Sequence, residues 1–113
     1  MHFDIATNDG AAVITPDGNG LDLHVAAEFR AALLQVIEGG QHRLVVDLAD
    51  ISFIDSSGLG ALVTALKAVK ARTGGGDIRL ANVQASIAAV LDISRLNRVL
   101  SSHPSVEAAV RSF

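Results

Sequence analysis

Cysteine, tryptophan and tyrosine are all absent from this 113-residue sequence, and proline occurs only twice. Without a thiol there is no disulfide and no thiolate chemistry, a composition that suits a reducing compartment. The only aromatic side chains are four phenylalanines, so the core has to be built from Leu, Val, Ile and Ala. Positive charge is scarce as well. Nine basic residues against twelve acidic ones give a net charge of -3, and with no basic cluster a nucleic-acid backbone is not an expected partner. No apolar run approaches the roughly 18 residues of a membrane span, and Met1-His2-Phe3-Asp4 lacks the basic start and apolar segment of a signal peptide. The chain is therefore expected in the cytoplasm, without a membrane partner. His2, His24, His42 and His103 show no i, i+3 or i, i+4 pairing, so no metal site is expected. Gly74-Gly75-Gly76 invites a phosphate-loop reading, which fails because no Gly-Lys-Ser/Thr follows and the next element reads as a strand. No cofactor is expected.

At 113 residues, half of them apolar, residues 1–113 read by length as one domain, large enough to bury roughly two-thirds of the surface its unfolded chain exposes. His2 to Ala6 reads as a short strand, ended by the turn signal Asn8-Asp9-Gly10. With Ala11 to Thr15 it makes a hairpin. Pro16-Asp17-Gly18-Asn19-Gly20 breaks the chain again. Leu21-Asp22-Leu23-His24 then leads into a helix with Val25, Phe29, Ala32, Leu33, Val36 and Ile37 on one face, stopped by Gly39-Gly40. Leu44, Val45, Val46 and Leu48 form a near-continuous apolar run, expected of a strand covered on both faces, with Asp47 its only charge. Arg72-Thr73-Gly74-Gly75-Gly76 is a helix stop, followed by a strand at Asp77 to Ala81. Asn82 to Ile93 reads as a helix with Ile87, Val90 and Leu91 as its apolar face, broken at Ile93-Ser94-Arg95-Leu96. Pro104 suits the first turn of a last helix carrying Val106, Ala109, Val110 and Phe113.

The most informative stretch lies in the middle. Leu59, Leu62, Val63, Leu66 and Val69 fall at i, i+3, i+4, i+7 and i+10, one stripe down an amphipathic helix that has to begin near Asp55 to Gly58. Asp55 and one serine suffice to cap such a helix, a role worth roughly 1 kcal/mol. Two adjacent hydroxyls exceed what a cap requires. Gly58 and Gly60 each cost on the order of 1 kcal/mol of helix propensity against Ala, and glycine there lets another protein's backbone approach closely.

Asp55-Ser56-Ser57-Gly58-Leu59-Gly60, preceded by Val46-Asp47-Leu48 and Ile51-Ser52-Phe53-Ile54, resembles the signature of STAS domains, and in particular the stand-alone anti-sigma factor antagonists of bacteria. The resemblance runs from the first strand to the last helix. It implies that a serine-protein kinase, itself the anti-sigma factor, phosphorylates the serine directly after the motif aspartate, here Ser56, while Ser57 holds the second hydroxyl position. It further implies a partner-binding surface made by Asp22, Asp55, Ser56, Ser57, Gly58, Leu59 and Gly60, and a PP2C-type phosphatase that resets Ser56. Relatives commonly carry Gly-Glu-Leu-Asp where this chain has Asn19-Gly20-Leu21-Asp22; the Leu-Asp pair matches and the Gly-Glu pair does not. Read without the family, Asp22 is an acidic residue favoured ahead of a helix by its dipole.

The element order implies an α/β fold with a mixed, mostly parallel sheet, the first hairpin supplying its antiparallel pair. The pattern alone leaves a conventional two-faced sheet open. The resemblance implies a single STAS-like domain of about 4–5 strands and about 4 helices, with the switching helices mainly on one face so that the loops at Asp22 and Ser56 meet. It also places a short final strand at Val99-Leu100. Ser56 or Ser57 with His24 and Asp22 or Asp55 can be drawn as nucleophile, base and orienting acid. Gly-x-Ser-x-Gly and an oxyanion loop are missing, so no enzyme and no catalytic residue is expected. The reading is an antagonist that forms heterocomplexes as a monomer, with dimerisation through the first hairpin's edge left open. The alternatives are a non-catalytic STAS adaptor subunit of a lipid-transport ATPase complex and a partner-switching regulator of secretion or motility.

Overall fold

Asp9 and Gly10 both take positive φ, 48° and 81°. That two-residue turn matches the twist of its flanking strands and joins β1 (Phe3–Asn8) to β2 (Ala11–Pro16). The computed structural model describes residues 1–72 and 74–113. Beyond the hairpin come β3 (Gly20–Leu21), α1 (Ala26–Glu38), β4 (Arg43–Asp47), β5 (Phe53–Ile54), α2 (Ser56–Lys70), β6 (Asp77–Ala81), α3 (Ala85–Ile93), a 3-10 turn at Leu96–Arg98, β7 (Ser101–His103) and α4 (Val106–Arg111). The expected stop after α2 holds at Ala71 and Arg72; Thr73 lies outside the described residues.

Five strands form one sheet in the order β1-β2-β4-β6-β7. β1 runs antiparallel to β2, from Phe3 opposite Pro16 to Asn8 opposite Ala11, and the other neighbours are parallel. β4 is central, and Leu44, Val45 and Val46 are fully buried, as a strand covered on both faces requires. Its one charge is used: Asp47 Oδ1 accepts from Ala49 N at 3.1 Å and from Asn82 Nδ2 at 3.0 Å.

Alternation along the strands sorts the core into two layers. On one face Ile14, Leu44, Val46, Ile78 and Leu80 meet Phe29, Leu33 and Ile37 of α1, Leu62, Leu66 and Val69 of α2, and Ile87 and Leu91 of α3. On the other, Ala11, Val13, Val45 and Ala81 meet Ala109 and Val110 of α4. Three helices therefore share one face and one covers the other. Each fully buried Leu or Ile contributes about 1.5–3 kcal/mol, so the three-helix face carries most of the stabilisation. α4 is held additionally by Arg79, which pairs with Asp77, donates to Ser112 Oγ at 2.9 Å and lies 4.6 Å over the Phe113 ring.

β1 runs on through Asn8, which pairs with Ala11 rather than opening the turn, and three further boundaries differ more from the sequence reading. The last strand is Ser101–His103, not Val99-Leu100. Leu100 is buried but closes the 3-10 turn, its N–H donating to Leu96 O at 2.8 Å, while Val99 is half exposed. At an edge, backbone pairing to β6 outweighs side-chain β-propensity. α3 begins at Ala85, because Asn82 is left-handed at φ 57° and Gln84 is extended. α4 begins at Val106 with Ser105 as its cap, so Pro104 precedes the helix.

Candidate functional site

β3 and β5 form a separate parallel pair, Gly20 opposite Phe53 and Leu21 opposite Ile54. This two-residue ladder brings the turn before α1 against the start of α2, and Asp55 fastens the two. Its backbone is extended and its side chain caps α2: Oδ1 accepts from Ser57 N at 2.8 Å and Gly58 N at 3.1 Å. Oδ2 accepts from Leu23 N at 3.0 Å, across the junction. The Gly58 amide above all holds the Asp55 carboxyl below the usual carboxylate range; the Leu23 and Ser57 amides and the charge of His24 act with it, against an opposing effect of burial. Hydrogen bonds to a carboxylate favour its charged form.

Asp22 shapes the facing turn. Its Oδ1 accepts from His24 N at 2.9 Å, and its carbonyl accepts from Val25 N and Ala26 N, which starts α1. Leu23, bonded to Asp55, is its chain neighbour, so the structure does bring the Asp22 turn and the Ser56 helix start together. His24 is exposed and joins the site through its backbone N–H.

Since Asp55 supplies the cap, neither serine is needed for it. Ser56, first residue of α2, is exposed; Ser57 is half-buried. The two glycines separate. A Cβ on Gly58 would lie 2.2 Å from Leu21 O and 2.8 Å from Ile54 Cγ1, whereas one on Gly60 meets nothing within 4 Å beyond its own turn of helix. Gly58 therefore lets β3 approach α2 inside the chain, which corrects the expectation that it opens the helix to another protein. Leu59 is half-buried and packs against the core, so only part of it reaches the surface.

The helix stripe is also rotated from the expected one. Gly58, Ala61, Leu62, Ala65, Leu66 and Val69 are buried, and Leu59 and Val63 only partly. Small residues occupy the closest contacts, a placement that apolar periodicity does not resolve. Two exposed apolar side chains beside the junction were not singled out in the sequence: Leu23, 71% exposed, and Phe53, 54% exposed. Strand alternation would have grouped Leu23 with buried Leu21; it is exposed because β3 ends at Leu21 and Leu23 lies in the turn before α1. Among the described residues no group of three or more His, Asp or Glu side chains converges as a metal site requires, and no helix is long and apolar enough to cross a membrane.

These features define a class: a small α/β domain in which an exposed serine opens a helix that an aspartate cap ties to the preceding strand-to-helix turn. The STAS domain family model matches residues 2–109, and the chain belongs to that family. The anti-sigma-B factor antagonist of Bacillus subtilis (strain 168) is 28% identical over 111 residues, which cover 98% of each chain. The crystal structure of an anti-sigma factor antagonist from Mycobacterium paratuberculosis superposes with a TM-score of 0.85 at 20% identity, covering 98% of this chain and 92% of that one. The Bacillus cell fate determinant SpoIIAA in its phosphorylated form gives a TM-score of 0.71 at 24% identity, covering 99% and 100%. The structural likenesses establish the shared fold.

Proposed function

We propose that this protein is a cytoplasmic anti-sigma factor antagonist whose binding is switched by phosphorylation of Ser56. The observation that carries the proposal is an exposed Ser56 hydroxyl at the first position of α2, freed from capping by Asp55 and set beside the Asp22 turn. The names of the relatives point the same way. Unmodified, the surface formed by Asp22, Ser56, Ser57 and Gly60 binds an anti-sigma factor serine kinase, which then releases its sigma factor. The nucleotide belongs to the kinase, and a PP2C-type phosphatase resets the serine.

Phosphorylation adds about -1.5 to -2 charge at this surface. The helix dipole favours an anion there, so the domain stays folded. The Ser57 and Gly58 amides, however, already serve Asp55. A phosphate on Ser56 therefore meets the Asp55 carboxylate and extends toward the partner-facing side. Bulk and repulsion that remove about 3–4 kcal/mol of binding weaken the complex by a few hundredfold.

The test is incubation with ATP and the serine kinase encoded nearest the gene, followed by intact mass and peptide fragmentation. One phosphate on Ser56, with loss of kinase binding, is the expected result. Ser56→Ala keeps binding and takes up no phosphate, and Ser56→Asp weakens binding with little change in Tm. Uptake by Ser56→Ala moves the assignment to another hydroxyl. A stable complex without any phosphate points instead to a permanent adaptor.

A further inference from the structure

Beside the capped junction, α1 and α2 enclose a groove of about 360 Å³ with Leu23, Ala27 and Arg30 on one rim and Ser57, Gly60 and Thr64 on the other. Ser57 to Thr64 spans seven residues of α2, two helical turns or about 10 Å of rim, faced by Leu23 in the turn before α1 and by Ala27 and Arg30 in its first turns.

Two observations point to an occupant. Gly60 sits inside a helix, where glycine lowers helix propensity relative to alanine, yet beyond its own turn of helix no other part of the chain lies within 4 Å of the Cβ it lacks. Gly58 has an internal reason to be glycine and Gly60 has none. Arg30 is exposed at the far end of the groove and takes no part in the ion pairs found among the described residues. At the near end stand Asp22 and Asp55, so the groove is polarised along its length. Leu23, mostly exposed, gives it an apolar lip.

We infer that the groove receives a segment of the anti-sigma factor that lays a small or apolar side chain over Gly60 and turns a carboxylate to Arg30. The inference rests on the antagonist reading and names the partner's chemistry. Acidic groups at one end and a guanidinium at the other fix which way round the segment lies, because a carboxylate is repelled from the junction and attracted to Arg30. The groove shares Leu23 and Ser57 with the capped junction, so one docked segment reads both.

The experiment measures the Kd of the unmodified protein for the purified anti-sigma factor kinase, at low and high salt, together with Tm. Arg30→Glu is expected to weaken binding tenfold or more at low salt with unchanged Tm, the gap narrowing at high salt. Gly60→Ala is expected to raise Tm while weakening binding tenfold or more, an opposition of signs that general destabilisation does not produce. If both variants bind like wild type while Ser56→Asp does not, docking uses the junction alone and the groove is refuted. A fall in Tm for Gly60→Ala refutes the glycine argument. If wild type itself does not bind, the antagonist reading and the groove fall together.

Discussion

Asp55 joins two segments with one carboxylate, taking two amides from its own helix and one from Leu23 across the junction. Asp55→Ala strands all three donors, and the expected loss at pH 7 is on the order of 5 °C in Tm. The gap depends on pH with a definite sign. The folded carboxyl titrates below its ordinary value of 3.8, so its contribution is fully present above that value and is lost as pH falls through the lower, folded one. Melting curves of wild type and Asp55→Ala should therefore stay apart at every pH above 3.8 and converge only as pH falls below it. At this scale much of the site was legible, since Asp55-Ser56-Ser57 ahead of an apolar stripe announces a capped helix with hydroxyls to spare. What could not be read was the difference between Gly58 and Gly60. Both look like openings in a first turn, and only the position of Leu21 O decides which one is filled.

Helices were placed well wherever large apolar side chains repeat over two or more turns, as Phe29, Leu33 and Ile37 do. They were misjudged where one polar residue sets the boundary. Left-handed Asn82 delays α3, and Ser105 fixes the start of α4 by accepting from Ala108 N at 3.0 Å. Ser105→Ala should destabilise the protein by about 1 kcal/mol, read by urea denaturation with an unchanged m-value. An effect near zero would mean that Arg79, Ser112 and Phe113 alone secure the helix. β7 lies two residues beyond the expected Val99-Leu100 for a related reason: Ser101 and Ser102 carry no apolar signal, and their pairing is dictated by β6 alongside.

The whole molecule is asymmetric in cover and in edge. β4 has neighbours on both sides and helices on both faces, whereas Asp4, Ile5, Ala6 and Thr7 of β1 are all exposed. Amide exchange should accordingly be slowest in β4 and adjoining β2 and β6, and fastest among the strands at β1 and β7. Protection of β1 equal to that of β4 would reveal a second strand along its free edge, as dimerisation through the hairpin requires. The mixed, mostly parallel sheet followed from the order of elements. The distribution of helices did not, because periodicity says which side of a helix is buried and not which side of the sheet receives it; the family resemblance supplied that.

The β3–β5 ladder also has a consequence in time. Its two rungs join residues 33 positions apart, a loop closure that two rungs alone cannot offset. The ladder must therefore wait until β2 and β4 have paired and drawn its ends together. Asp55 and Gly58 should then show φ-values near zero while Val46 shows a high one. A nascent or partly unfolded chain would display Ser56 as an ordinary serine in a flexible segment, without the Asp22 turn beside it. On the proposed function, this surface is a certificate of completed folding, and only finished molecules would enter an exchange of partners.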